Sequence, residues 1–340
     1  MQETIKEIKK RIEKVFDKEK VVVIYHFDID GCASASLMWR ILQKNHKEAT
    51  YIPATRGYEA MIARKIKKEN PDKVVILDYV PSDELVNFLK NYDAEIIDHH
   101  KHEERLEKLD YFTSSDFEIG ASLSYLLFKV AEKFEISNVS WLGYLGSFWD
   151  KCMESTEFYK KGIYQEKVDE LIPFNLVVSL TRNRGSEKML QLMNKSSSLD
   201  EAFENLEEID DYHRAKKLFE HELRSIMFSK KNYPELQLDI YWVKTKFKHI
   251  RIYVDYITFS NEGSFLFILD EISRFKFSFR TSLELSMLNI VLQLKEKFEN
   301  FKGGGHLKAC GGLLDSQNVE ELLSEFLKLY EKEYKKIGAK

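Results

Sequence analysis

Three apolar runs that each empty into acid or imidazole constrain this chain more than anything else in it. Ile96-Ile97 is followed at once by Asp98-His99-His100. Val74-Val75-Ile76-Leu77 ends in Asp78, and Val21-Val22-Val23-Ile24-Tyr25 runs into His26-Phe27-Asp28-Ile29-Asp30-Gly31. Continuous β-branched runs suit strands covered on both faces, the condition of a parallel sheet flanked by helices. The intervening segments have helical spacing. The pattern predicts helix over 3–18, strand over 21–25, helix resuming at 33–38, strand over 50–52, helix over 58–68, strand over 73–77, helix over 82–91 with Ser82 as N-cap, and strand over 94–97. Alternation of this kind implies an α/β fold with a mostly parallel sheet, whose ligand crevice lies beyond the carboxyl ends of the strands. The acids and histidines above all fall at that edge.

At 340 residues, 44% of them apolar, the chain is long enough for two domains. The expected division is a catalytic domain over 1–195, a helical connector over 196–234, and a smaller mixed-sheet α/β domain over 235–340. Helical spacing covers 119–134 and 139–150 and continues to about residue 190, taking in the basic patch Arg182-Asn183-Arg184-Gly185. A polar break at 195–200 precedes a highly charged stretch, 201–231, that reads as one long helix. The last domain changes to period two, with strands expected over 237–244, 249–258, 264–270 and 276–280, a helix over 283–298, a glycine-dense segment, and a closing helix over 319–335.

The net charge of −4 does not by itself mark a nucleic-acid binder, but a local basic groove or a metal cluster would offset it. No apolar run approaches the ~18 residues needed to span a bilayer, and the amphipathic start lacks a signal-peptide core, so a cytoplasmic protein with no membrane partner is expected. Three scattered cysteines, Cys32, Cys152 and Cys310, suit reduced thiols better than a disulfide framework or a thiolate zinc site.

Asp28 and Asp30, two apart at an expected strand end, would face one crevice. Close carboxylates repel, and a divalent cation removes that conflict. With His26, Asp78, His99 and Asp150 they make a mixed nitrogen and oxygen set suited to Mn²⁺, or to Mg²⁺ with more water. Six donors suit two ions about 3.5–4 Å apart bridged by one carboxylate. Each residue alone has a plainer reading: turn chemistry for Asp28-Ile29-Asp30-Gly31, a helix cap for Asp78 or Asp150, a satisfied hydrogen-bonding group for a lone histidine. Their joint occurrence favours the site.

The segment Gly303-Gly304-Gly305-His306-Leu307-Lys308-Ala309-Cys310-Gly311-Gly312 would let backbone approach an anion closely, with His306 adding a donor; a tight turn is the alternative. Arg280, at a strand end, is either a phosphate clamp or a surface ion pair.

His26-Phe27-Asp28-Ile29-Asp30-Gly31, Asp78, Asp98-His99-His100 and Asp150 resemble, in order, the four motifs of the DHH phosphoesterase superfamily. Gly303-Gly304-Gly305-His306 with Gly311-Gly312 resembles the signature of its C-terminal DHH-associated domain. The resemblance implies two Mn²⁺ ions, one held by His26, Asp28 and Asp78 and the other by Asp30, Asp78, His99 and Asp150. It also implies that His100 contacts the scissile phosphate or protonates the leaving oxygen, that Asp98 orients the histidines, and that His306 and Arg280 bind substrate phosphate. The two-domain size is similar to nanoRNases and archaeal RecJ-like nucleases. The implied activity is a Mn²⁺-dependent phosphodiesterase or exonuclease acting on single-stranded DNA or RNA or on short oligonucleotides. A small-substrate phosphatase for dinucleotides or phosphoadenosine, and a scaffold bound to replication or repair proteins, are the alternatives; a homodimer is compatible with each.

Overall fold

Val21–His26 (β1), Lys73–Leu77 (β3) and Ala94–Asp98 (β4) form strands, and their apolar residues are buried on both faces. Thr50–Ala54 (β2) and Asp110–Thr113 (β5), the latter not expected from the sequence, complete a five-stranded sheet in the order β2-β1-β3-β4-β5. Every neighbouring pair in it is parallel. The carboxyl ends of β1, β3 and β4 therefore lie along one edge. The structure is a computed structural model and describes residues 1–340 apart from 118–119, 151, 154–155, 161–167, 248–249, 260, 272–273, 316–318 and 339–340.

The chain divides into two units, Met1–Ala215 and Lys216–Lys340. In the first, the helices are Gln2–Glu13 (α1), Ile29–Lys44 (α2), Glu59–Glu69 (α3), Asp83–Leu89 (α4), Leu123–Lys133 (α5), Ser140–Trp149 (α6), Glu157–Lys160 (α7), Val168–Thr181 (α8), Asn183–Lys195 (α9) and Leu199–Glu207 (α10). Ser82 Oγ caps α4 by accepting from Leu85 N, as its residue type predicts. Ile119, the expected start of the helix before Phe134, lies outside the described residues. Asp210–Phe228 (α11) crosses the division between the units.

The stretch 201–231, expected as one helix, is two. It breaks between Glu207 and Asp210, inside an acidic run. Carboxylates are unfavourable at a helix C-terminus and favourable in a first turn, so restarting the helix at Asp210-Asp211 relieves the run.

The second unit contains a six-stranded mixed sheet in the order β10-β11-β9-β8-β7-β6. Its strands are Lys231–Tyr233 (β6), Leu238–Val243 (β7), Ser264–Glu271 (β8), Arg274–Thr281 (β9), Phe301–His306 (β10) and Ala309–Leu314 (β11), with helices Arg251–Phe259 (α12), Met287–Lys297 (α13) and Val319–Gly338 (α14). Residues 250–258, expected as strand, are mostly helical, and His249 lies outside the described residues. The reason is topological. β7 and β8 pair in parallel, and parallel neighbours need a crossover that a hairpin cannot supply. α12 is that crossover, seated by Tyr253 stacked on Phe219 at 5.2 Å. The glycine-dense segment is a β10–β11 hairpin, with His306 paired to Ala309.

Candidate metal centre

The edge of the parallel sheet gathers the predicted donors. His26 ends β1, and Asp28 is the N-cap of α2, its Oδ1 accepting from Gly31 N at 3.1 Å. Asp30 lies in the first turn of α2, so it and Asp28 are not on an extended strand end as expected. The glycine after Asp30 permits this early start, because a Cβ on Gly31 would overlap the His26 carbonyl. Asp78 follows β3 with φ of +55°, a left-handed conformation uncommon for a residue with a side chain and easiest for Asp and Asn. Asp98 ends β4, His99 and His100 follow it, and Asp150 is the C-cap of α6.

Distances join these residues into one centre. His26 Nδ1 lies 2.9 Å from Asp28 Oδ2 and 3.9 Å from Asp78 Oδ2. His99 Nε2 lies 3.1 Å from Asp78 Oδ1, 3.0 Å from Asp150 Oδ2 and 3.8 Å from Asp30 Oδ2. His26, Asp28 and Asp78 offer donor atoms within 4.8 Å of one another, and so do Asp30, His99 and Asp150. Asp78, Asp98, His99 and His100 make a third such group. Asp78 faces three imidazoles, His26 through Oδ2 and His99 and His100 through Oδ1.

Burial makes this arrangement costly without a cation. Asp30 is fully buried and Asp78 is 2% exposed. Burial, and next the charge of Asp150, push the Asp30 carboxyl up to about 7. Burial, then Asp30 and Asp28, hold Asp78 well above the usual carboxylate range. Burial alone would lower His99, but contacts with Asp150 and Asp78 outweigh it and hold the imidazole well above its ordinary value. Asp78 Oδ1 and His99 Nε2 are buried with no hydrogen-bond partner, despite lying 3.1 Å apart. Orphaned oxygen and nitrogen lone pairs at the centre of a carboxylate cluster are what divalent cations satisfy, and the donor set suits Mn²⁺ or Mg²⁺.

Surrounding groups orient the donors. Asp30 accepts from Leu123 N at 3.0 Å and Ser124 N at 3.1 Å, at the start of α5. Asp98 Oδ1 accepts from His99 N at 2.7 Å and meets His100 Nδ1 at 2.8 Å. Burial opposes that charge, but His100 prevails and Asp98 sits below its ordinary value. Tyr79 stacks on His26 at 6.1 Å between ring centroids. Sequence reasoning missed Ser124, Tyr79 and Gly146. Only Gly146 left a signal, as a glycine inside the apolar helix α6, where it is unfavourable unless packing requires it.

In the second unit, Arg280 lies on β9. Its Nη1 donates to the carbonyls of Phe279 at 2.8 Å and Cys310 at 3.2 Å, and its Nε is buried without a partner. It is not the surface ion pair that the sequence left open. Gly303 pairs with Gly312, and Gly304 with Gly311. His306 is placed by its backbone pairing alone.

Residues 20–146 match the model of the DHH family, N-terminal domain. The chain carries a DHH-family N-terminal domain. No curated protein matches it. Among solved structures, the fold resembles RecJ in complex with Mn²⁺ from Thermus thermophilus, with TM-score 0.65 and 15% identity over 97% of this chain and 55% of that one. The chain thus spans 55% of the Thermus protein's length. The DHH domain of a protein described as a member of a ribosomal-protein family gives TM-score 0.69 and 16% identity over 96% and 90% of the two chains. A pGpG-specific phosphodiesterase from Vibrio gives TM-score 0.51 and 13% identity over 93% of this chain and all 100% of that one. The likeness is of a nuclease- and phosphodiesterase-like fold, and RecJ structures of it hold Mn²⁺ or Mg²⁺. Among the described residues, no helix is long and apolar enough to cross a membrane.

Proposed function

We propose that this chain is a divalent-cation-dependent phosphodiesterase that releases mononucleotides from single-stranded DNA or RNA or from short oligonucleotides. The observation that carries the reading is the convergence of the donor groups on Asp78, whose two oxygens face different imidazoles. His26, Asp28 and Asp78 would hold one Mn²⁺, and Asp30, Asp78, His99 and Asp150 the second. The ion pair would lower the pKa of an attacking water and neutralise phosphoryl oxygens. His100 is 48% exposed and held by Asp98 through Nδ1, which would leave Nε2 for the substrate. As water adds to phosphorus and the ester P–O bond breaks, His100 is placed to give the leaving oxygen its proton. Labelled strands of two to twenty nucleotides incubated with Mn²⁺ should yield mononucleotides. Hydrolysis restricted to dinucleotides would replace this reading with a small-substrate one, and none in Mn²⁺ or Mg²⁺ would end it.

On the second unit, Gly303, Gly304, Gly305, His306 and Arg280 are assigned to substrate binding. A Cβ on Gly303 would lie 2.7 Å from Val291 Cγ1 and 2.8 Å from a Phe301 ring carbon, so packing demands that glycine. A Cβ on Gly304 would meet nothing within 4 Å, so folding does not demand that one. Gly304→Ala should leave the melting temperature unchanged or slightly raised while KM for oligonucleotides rises severalfold, because bare backbone there serves a ligand. Gly303→Ala should instead cost about 1–3 kcal/mol of stability through overpacking. Equal effects of the two in thermal melts and kinetics would leave these glycines no part in substrate binding.

A further inference from the structure

The basic patch Arg182-Asn183-Arg184 is not used by the metal centre, yet the fold brings it to the same sheet edge. His26 is the register partner of Ala54 at the end of β2, and Phe27 N donates to the Ala54 carbonyl at 3.1 Å. Thr55, next along the chain and 4% exposed, donates its hydroxyl to Asn183 Oδ1. One turn on, Ser186 Oγ lies 3.1 Å from Sγ of Cys32, in the first turn of α2. Residues 182–186 therefore border the His26 and Asp28 corner from the β2 side.

Three features of this border are left unexplained by folding. Asn183 is oriented by Thr55, and its Nδ2 is buried with no acceptor. Arg182 Nε, one residue away, is also buried with no acceptor. Arg182 has φ of +49° and ψ of −118°, a region favoured by glycine, and backbone strain of this kind gathers at ligand-binding positions. Two orphaned donors side by side call for an acceptor, and two further arginines lie next to them or to Thr55 in the chain. Arg56, directly after Thr55, is exposed, and its charge reaches Tyr79, the ring stacked on His26. Arg184 is 70% exposed, with Asp211 no closer than 3.6 Å.

We propose that Arg182 and Asn183, supported by Arg56 and Arg184, form a subsite for the phosphate of a nucleotide adjoining the scissile bond. The site would then favour a substrate with at least two phosphates in a chain. This rests on the phosphodiesterase reading above, and it deepens that reading by naming the residues that distinguish an oligonucleotide from a one-phosphate diester.

Two variants test it without threatening the fold. Arg182→Gly places in the left-handed position the residue that best tolerates it. Asn183→Asp keeps the oxygen that accepts from Thr55 and deletes the Nδ2 donor. Each should weaken binding of a fluorescent pentanucleotide about ten- to a hundredfold in anisotropy titrations, as expected for a lost charge-assisted hydrogen bond. For Arg182→Gly, the slope of log affinity against log salt should shrink by about 0.7, the increment of one phosphate contact on a single strand. The ratio of kcat/KM on the pentanucleotide to that on bis(p-nitrophenyl) phosphate should fall at least tenfold. Wild-type affinity and salt slope in both variants would overturn the subsite even if hydrolysis proceeds. Wild-type protein that binds the pentanucleotide with this salt dependence but hydrolyses neither substrate would overturn the phosphodiesterase reading and leave the subsite standing.

Discussion

Asp78→Asn should lower Mn²⁺-dependent hydrolysis by at least about a thousandfold, because the proposed function has Asp78 in both ion sets, and its loss would remove several kcal/mol of charge stabilisation. Asn is the substitution of choice. It has nearly the same shape and tolerates the positive φ of this position, so the backbone is not strained further. In the cation-free protein, the neutral side chain relieves the repulsion with Asp30 and Asp28 that burial intensifies. The variant without metal should therefore melt no lower than wild type. With Mn²⁺ the order reverses. A ligand at a hundred times its Kd stabilises the folded state by about 2.7 kcal/mol, which for a unit of this size is a rise of about 5–10 °C. Differential scanning fluorimetry should record that rise in the wild type, its reversal by chelator, and little of it in Asp78→Asn. An undiminished Mn²⁺ shift in the variant would remove Asp78 from the centre.

Gly146→Ala should be nearly as damaging, though glycine offers no chemistry of its own. Gly146 lies in α6 where a Cβ would overlap both Ser124 Oγ and Asp30 Oδ1. Both neighbours are buried, and Asp30 is held by the amides of Leu123 and Ser124, so neither has room to yield. Overpacking of this sort costs about 1–3 kcal/mol. The displacement falls on a proposed cation ligand, and misplacing a reacting group by about 1 Å can cost a hundredfold in rate. Thermal melts and Mn²⁺-dependent kinetics on the same preparation should show both losses. Full activity in a destabilised Gly146→Ala protein would mean that Asp30 does not need its present position.

The parallel sheet was legible because burial on both faces writes itself into the chain as uninterrupted apolar runs, and β1, β3 and β4 each have one. β5 escaped notice because Asp110-Tyr111-Phe112-Thr113 is a short edge strand, half exposed, with too little apolar pattern to stand out. The strand expected around 250–258 failed for the opposite reason. Its alternation was real, but the parallel pairing of β7 with β8 required a helix there, and local preference yielded to connectivity.

The six candidate donors could be named from sequence because acids and imidazoles that follow apolar runs or border helices are conspicuous. What the one-dimensional pattern determined was therefore the inventory: an α/β fold with most of its candidate donors at one sheet edge. Only the tertiary structure decided how those side chains meet. Asp30 reaches the centre from the first turn of a helix, Gly146 clears the space beside it, and Asn183 arrives from more than a hundred residues away to accept from Thr55. Periodicity reports which side of an element is buried. It carries no information about which distant element buries it, and distances between donors depend on that choice.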